Sequence, residues 1–175
     1  ISSLRSPDAT LSRDPLCPKA AVAASPAAAS TPLALARTGL WTLLAAHLIT
    51  VWGTSWDIRW HLLIGRDSFW IPPHLMTYSG VTMIVLVSFG VLAWTSIQGL
   101  RGVTVPGAIR QLGITGTRGY HLAAHSITLT VLAAPIDDLW HRTFGLDVTL
   151  WSPPHLLGLV GGILNAAACW VIACE

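Results

Sequence analysis

Charge is what this chain has least of. Asp, Glu, Lys and Arg make up 10% of its 175 residues, where an ordinary soluble domain carries about 25%. So low a share excludes a fully water-exposed globular surface. Cysteine is equally scarce: Cys17, Cys169 and Cys174 form no Cys-x-x-Cys pair, which leaves neither a zinc knuckle nor a redox dithiol. They read as small apolar packing residues. There is no glycine-rich phosphate loop and no serine in a nucleophile context, so ATP hydrolysis and Ser-His-Asp chemistry have no motif to carry them. Nucleic-acid binding has none either.

What is abundant is apolar. Hydrophobic residues supply 53% of the chain, and its mean hydropathy is +0.60. Charge-free runs cover 38–55, 75–100, 119–136 and 148–174, and a helix crosses a bilayer in about 20 residues. The expected fold is an all-α integral membrane protein with four transmembrane helices. Residues 1–37 differ, being rich in Pro, Ala and Ser. They show no periodicity and lack the ordered regions of a signal peptide, so a flexible cytoplasmic tail is expected, or in part an over-extended reading frame.

One motif is written twice. The first copy is Asp57, Trp60, His61, Gly65, Asp67, Trp70, Pro72, Pro73, His74 and Leu75. The second is Asp137, Trp140, His141, Gly145, Asp147, Trp151, Pro153, Pro154, His155 and Leu156. The offset is 80 residues as far as Asp67/Asp147 and 81 from Trp70/Trp151 onward, so one residue is inserted. The membrane domain 38–175 thus divides into repeat one, 38–100, and repeat two, 119–175. Each is a helix–motif–helix hairpin, and the two run in tandem.

Each copy offers one carboxylate and two imidazoles, a ligand set that holds a transition metal and leaves coordination positions open. Asp57 and His61 stand one helical turn apart on one face. The Pro72-Pro73 pair starts a new helix, because proline is tolerated in a first turn and disfavours helix before it. His74 then projects from that first turn. Asp137, His141 and His155 repeat the pattern. A lone His at a membrane edge is more often interfacial than ligating, but two matched triads are hard to explain as packing. The same set suits copper, iron or zinc.

Basic residues give the orientation. Arg101, Arg110 and Arg118 lie between the second and third runs, and Arg5, Arg13, Lys19 and Arg37 precede the first. Cationic loops stay in the cytoplasm. Both motifs then face the periplasm or exterior, with Trp52, Trp56, Trp60, Trp70, Trp140 and Trp151 as an interfacial belt. The expected location is a bacterial inner membrane with a cytoplasmic N-terminus.

The pattern Asp57-x3-His61-x12-His74, with Trp60 before the first His, Arg66-Asp67 in the loop and Pro72 two before the second His, resembles the metal-binding stretch of the C subunit of copper membrane monooxygenases. These are the particulate methane and ammonia monooxygenases and their relatives. The second copy is similar to that subunit's other proposed copper site, where an Asn stands in place of Asp137. The resemblance covers roughly 40–175. It implies a helical copper-binding subunit, partnered by A and B subunits in a hetero-oligomer, serving O2-dependent hydroxylation of a small apolar molecule. Four helices, fewer than the family has, imply a divergent or truncated relative, and Asp137 makes the second site more anionic. Under this reading Asp67 and Asp147 would orient a ligand imidazole by accepting its other N–H. Arg66 would pair with Asp67 or offset the charge of the site, and Asp138 could exchange with Asp137. A membrane protein that stores, senses or passes copper or zinc is the alternative from another class, and a structural subunit is the third.

The remaining histidines, His47, His121 and His125, are expected to pack or hydrogen-bond rather than to hold a haem. Gly80, Gly90, Gly158, Gly161 and Gly162 are expected at close helix contacts, with Gly80 and Gly161 at equivalent repeat positions.

Overall fold

A chain with few charges and long apolar runs must satisfy its backbone within each segment, because lipid offers no hydrogen-bonding partners. The computed structural model describes residues 26–65, 69–145 and 151–175, with side chains from residue 34. It contains helices α1 (Pro26–Leu63), α2 (Pro72–Leu100), α3 (Arg118–Phe144) and α4 (Pro153–Cys174). All four are long and apolar enough to cross a membrane. The all-α membrane architecture expected from composition is therefore the architecture found.

Two boundaries differ from the expectation. Helix α1 begins at Pro26, inside the segment read as a flexible tail, and runs on to Leu63. Proline at a helix start forfeits no needed N–H, and the Ala- and Leu-rich stretch after it has high helix propensity. The upstream boundary at 37 followed hydropathy, which does not end a helix. At the other end, α1 and α3 continue past the apolar runs and carry the first two motif ligands on their own last turns. Glycine stops them: Gly65 and Gly145 have φ of 95° and 89°, a conformation costly for any residue with a Cβ.

Helices α2 and α4 start alike. Ile71 and Ser152 precede them in extended conformation, with ψ of 152° and 150°, and each helix has proline at its first two positions. Between α2 and α3 lies a hairpin that the sequence did not suggest, β1 (Ile109–Gln111) and β2 (Ile114–Gly116), with Arg110 opposite Thr115. Its two-residue turn, Leu112 and Gly113, has positive φ at both positions, the turn whose twist matches paired strands. Ser96 of α2 ties the hairpin down, accepting from Thr115 N at 2.9 Å and donating to Thr115 O at 3.1 Å.

Small residues bring the helices of each hairpin together, as membrane helices require when lipid is as apolar as their own side chains. A Cβ on Gly80 of α2 would stand 2.8 Å from Ala46 O and 2.9 Å from Thr50 N of α1. A Cβ on Gly161 of α4 would stand 2.9 Å from Ser126 O and 3.0 Å from Thr130 N of α3. These are equivalent positions in the two repeats, so both hairpins use one packing geometry. Far from the motifs, Tyr120 OH of α3 donates to Ala36 O of α1 at 3.0 Å, joining the two hairpins, while Gly119 N donates to Glu175 Oε1 at 3.1 Å and closes the end of the second. Gly90 and Gly162 differ from the expectation, since a Cβ added at either would meet nothing within 4 Å.

Gly80→Val is expected to destabilise the folded chain by about 1–3 kcal/mol, because the new side chain meets backbone that cannot yield. Gly90→Ala is expected to be neutral or stabilising by up to about 1 kcal/mol, through helix propensity alone. Unfolding midpoints in a detergent-denaturant titration check both.

Candidate metal centres

The last turns of α1 and the first turn of α2 meet at the first motif. Asp57 Oδ1 lies 3.0 Å from His74 Nε2 and 3.6 Å from His61 Nε2. The two imidazoles stand nearly perpendicular, at 80°, with centroids 5.7 Å apart. His74 Nδ1 is 3.1 Å from the Phe69 carbonyl. A carbonyl only accepts, so this contact puts the proton on Nδ1 and leaves the Nε2 lone pair of the neutral ring facing Asp57.

The carboxylate is the telling atom. Asp57 Oδ1 is buried and has no hydrogen-bond partner among the described residues, although Nε2 of His74 is at contact distance. A desolvated carboxylate oxygen facing two imidazole nitrogens calls for positive charge or a donor N–H, and a cation held among the three groups supplies it. Separations of 3.0–3.6 Å suit donors that each sit about 2.0–2.2 Å from one shared ion. The residues present therefore fit a bound metal.

The second motif repeats this at the junction of α3 and α4. Asp137 Oδ1 lies 3.2 Å from His141 Nε2 and 3.4 Å from His155 Nε2. It too is buried without a hydrogen-bond partner among the described residues. Within each triad all ligand atoms lie within 4.8 Å of one another. The orienting contact has moved, however. Here His141 is held, its Nδ1 3.2 Å from the Gly145 carbonyl, while His155 Nδ1 is buried with no partner among the described residues. The carbonyl equivalent to that of Phe69 belongs to Leu150, which lies outside the described residues.

Six residues singled out by spacing thus come together as two triads. Asp138 does not join them. It pairs with Arg142 at 2.7 Å on the exposed face of α3, because neighbouring helical positions point about 100° apart and only Asp137 shares a face with His141. This corrects its expected exchange with Asp137. Arg66, Asp67 and Asp147 lie outside the described residues. Trp52, Trp70 and Trp151 project outward near the motifs, as a belt at the membrane surface does.

His121 and His125 stand apart from both triads. His125 Nδ1 approaches the His121 carbonyl at 2.6 Å, which is local helix bonding. His47, by contrast, lines a cavity of about 630 Å3 formed where the two hairpins meet, walled chiefly by α1 and α4. Its walls are mostly apolar, and Asp137 and His155 stand in them. Asp57, His61 and His74 do not. The sequence reading passed over one wall residue, Asn165, which is 1% exposed. The signal was available: an amide in α4 where repeat one has Ile84.

Comparison with protein-family models, with curated proteins and with solved structures gave no match.

Asp57→Ala and Asp137→Ala are each expected to abolish metal binding at their own triad and spare the other, while Asp138→Ala changes neither. Metal content per chain, measured for the three variants under identical loading, checks this.

Proposed function

We propose that this chain is the metal-binding subunit of a membrane oxygenase, most plainly a copper-dependent one acting on a small apolar substrate. What carries the reading is the mostly apolar cavity set against Asp137 and His155 of the second triad. Three protein ligands leave coordination positions open, and here Asp137 and His155 stand in the wall of a mostly apolar space. Copper bound there would supply activation of O2. The chain's own residues would do the rest: Asp137, His141 and His155 hold the ion, and Val51, Ile58 and Leu159 of the cavity wall give an apolar molecule a place beside it. Such molecules concentrate in the bilayer and enter from the side.

Copper is preferred over iron and zinc because the Asp57-x3-His61-x12-His74 spacing resembles the C subunit of copper membrane monooxygenases, and because imidazole ligands favour Cu(II). The first triad does not stand in the wall of this cavity and would serve as a second metal site away from the substrate. Its place in a hetero-oligomer with further subunits follows from the same resemblance. We also propose a bacterial inner membrane with both triads periplasmic, on the strength of Arg101, Arg110 and Arg118 at the opposite end.

The full chain, purified in lipid nanodiscs, is expected to retain copper that His61→Ala and His141→Ala each reduce by one site. Copper-loaded chain joined by its partner subunits is expected to hydroxylate a short alkane, with the loss falling on His141→Ala more than on His61→Ala. Zinc or iron at the same triads would overturn copper. Tight copper without any oxygen consumption, in the presence of partners and reductant, would favour a metal-handling protein.

A further inference from the structure

The internal repeat supplies a control that few cavities have. Positions 47 and 127 are equivalent, as are 84 and 165, and all four residues line the cavity. On the α2–α3 side these positions hold Ile127 and Ile84, both buried in the core. On the α1–α4 side they hold His47 and Asn165. At these two pairs of equivalent positions α1 and α4 put polar residues into an apolar wall within the membrane, where polar groups are costly and mark functional sites.

The hydrogen bonds around Asn165 tell which atom is free. Its Nδ2 donates to Ser126 Oγ at 3.3 Å, and that hydroxyl donates in turn to Ala123 O at 2.9 Å. The amide is thereby oriented with Oδ1 as the buried atom that has no donor among the described residues. Asn165 lines the cavity, and because terminal amide torsions are soft, a donor there can draw Oδ1 towards it at the expense of the 3.3 Å contact to Ser126. His47 brings a ring with one donor and one acceptor nitrogen in its neutral form.

We propose that this cavity binds a primary alcohol, its hydroxyl lodged at Asn165 and His47 and its apolar body running along α4 towards Asp137 and His155. The chemistry selects the class. A hydroxyl carries one donor and two acceptor lone pairs, so it has a proton for Oδ1 and a lone pair for an imidazole N–H. A hydrocarbon leaves Oδ1 buried and unpaired. A carboxylate has no proton to give it, and an ammonium brings a charge into the membrane interior. The distance fits an extended chain, since His155 and Asn165 are about 15 Å apart along α4 at the helical rise of about 1.5 Å per residue. The inference rests on reading the cavity as a small-molecule site but not on the metal.

The test is photolabelling of the full chain in nanodiscs with a diazirine-bearing n-alkanol, before and after chelator treatment, with adducts mapped by peptide mass spectrometry. Adducts are expected on the cavity faces of α1 and α4. n-Octanol is expected to compete them out about tenfold more effectively than n-octane at equal concentration in the bilayer, about the worth of one hydrogen bond. Asn165→Leu should keep labelling and erase that preference. Equal competition by octane and octanol in the unmodified chain would overturn the proposal, and this arm survives if the variant does not fold. Adducts spread evenly over lipid-facing surfaces would overturn it too. Preferential octanol competition in chelated protein that takes up no copper would sustain this inference while sinking the oxygenase reading.

Discussion

The register between the two helices of each hairpin is the constraint on which the rest hangs. Asp57 and His74 belong to different helices, and their ligand atoms converge only if α1 and α2 are aligned along their axes to a fraction of a turn. A slip of one residue would separate them by about 1.5 Å, half the observed 3.0 Å contact. Hydrophobic attraction cannot set that alignment in lipid, because a Leu gains little by leaving acyl chains for a neighbouring helix. Gly80 against Ala46 O and Thr50 N sets it instead, about two turns below the triad. Gly161 against Ser126 O and Thr130 N does the same for the second hairpin. Backbone touching backbone is a stiff contact, and it fixes the height at which carboxylate meets imidazole.

The turn above that contact is fixed as firmly. A positive-φ glycine ends the first helix, and a proline pair starts the second with its preceding residue extended. Gly65 with Pro72-Pro73, and Gly145 with Pro153-Pro154, are the same device used twice. Between them the chain must reverse and return His74 or His155 to the face of the opposing Asp. The ligands are therefore carried by helix ends, and in the first connection the Phe69 carbonyl also orients His74.

Much of this was legible beforehand, for identifiable reasons. Composition announced four membrane helices because the bilayer imposes a length and a polarity that few other folds share. The triads were legible because helical periodicity puts Asp57 beside His61, and the proline pair marks where His74 re-enters a helix. Three things were hidden. The start of α1 was misjudged because hydropathy was taken for a helix boundary. Asp138 stands next to Asp137 and could stand in for it as ligand, although the repeat alignment favours Asp137, and the helical face decides for Asp137. The cavity depends on how two hairpins meet, a contact with no local sequence signature. Asn165 was nonetheless visible as a departure from the repeat, since an internal copy shows what packing alone would place at position 84.

That departure bears on the division of labour between the two triads. The pseudo-symmetry that carries repeat one onto repeat two also carries the α1–α4 contact onto the α2–α3 contact. Were the repeats identical in sequence, both contacts would be open or both closed. Ile84 and Ile127 belong to the core. His47 and Asn165 occupy the matching places in the wall, so the two sides of the cavity differ in polarity, and Asp137 and His155 stand in the same wall. A metal in the first triad would lie away from this cavity, beside the exposed His61. A metal in the second would face the hydrophobic interior. Two sites with one ligand set would then differ in what can approach them, and the difference would come from residues that touch neither ion.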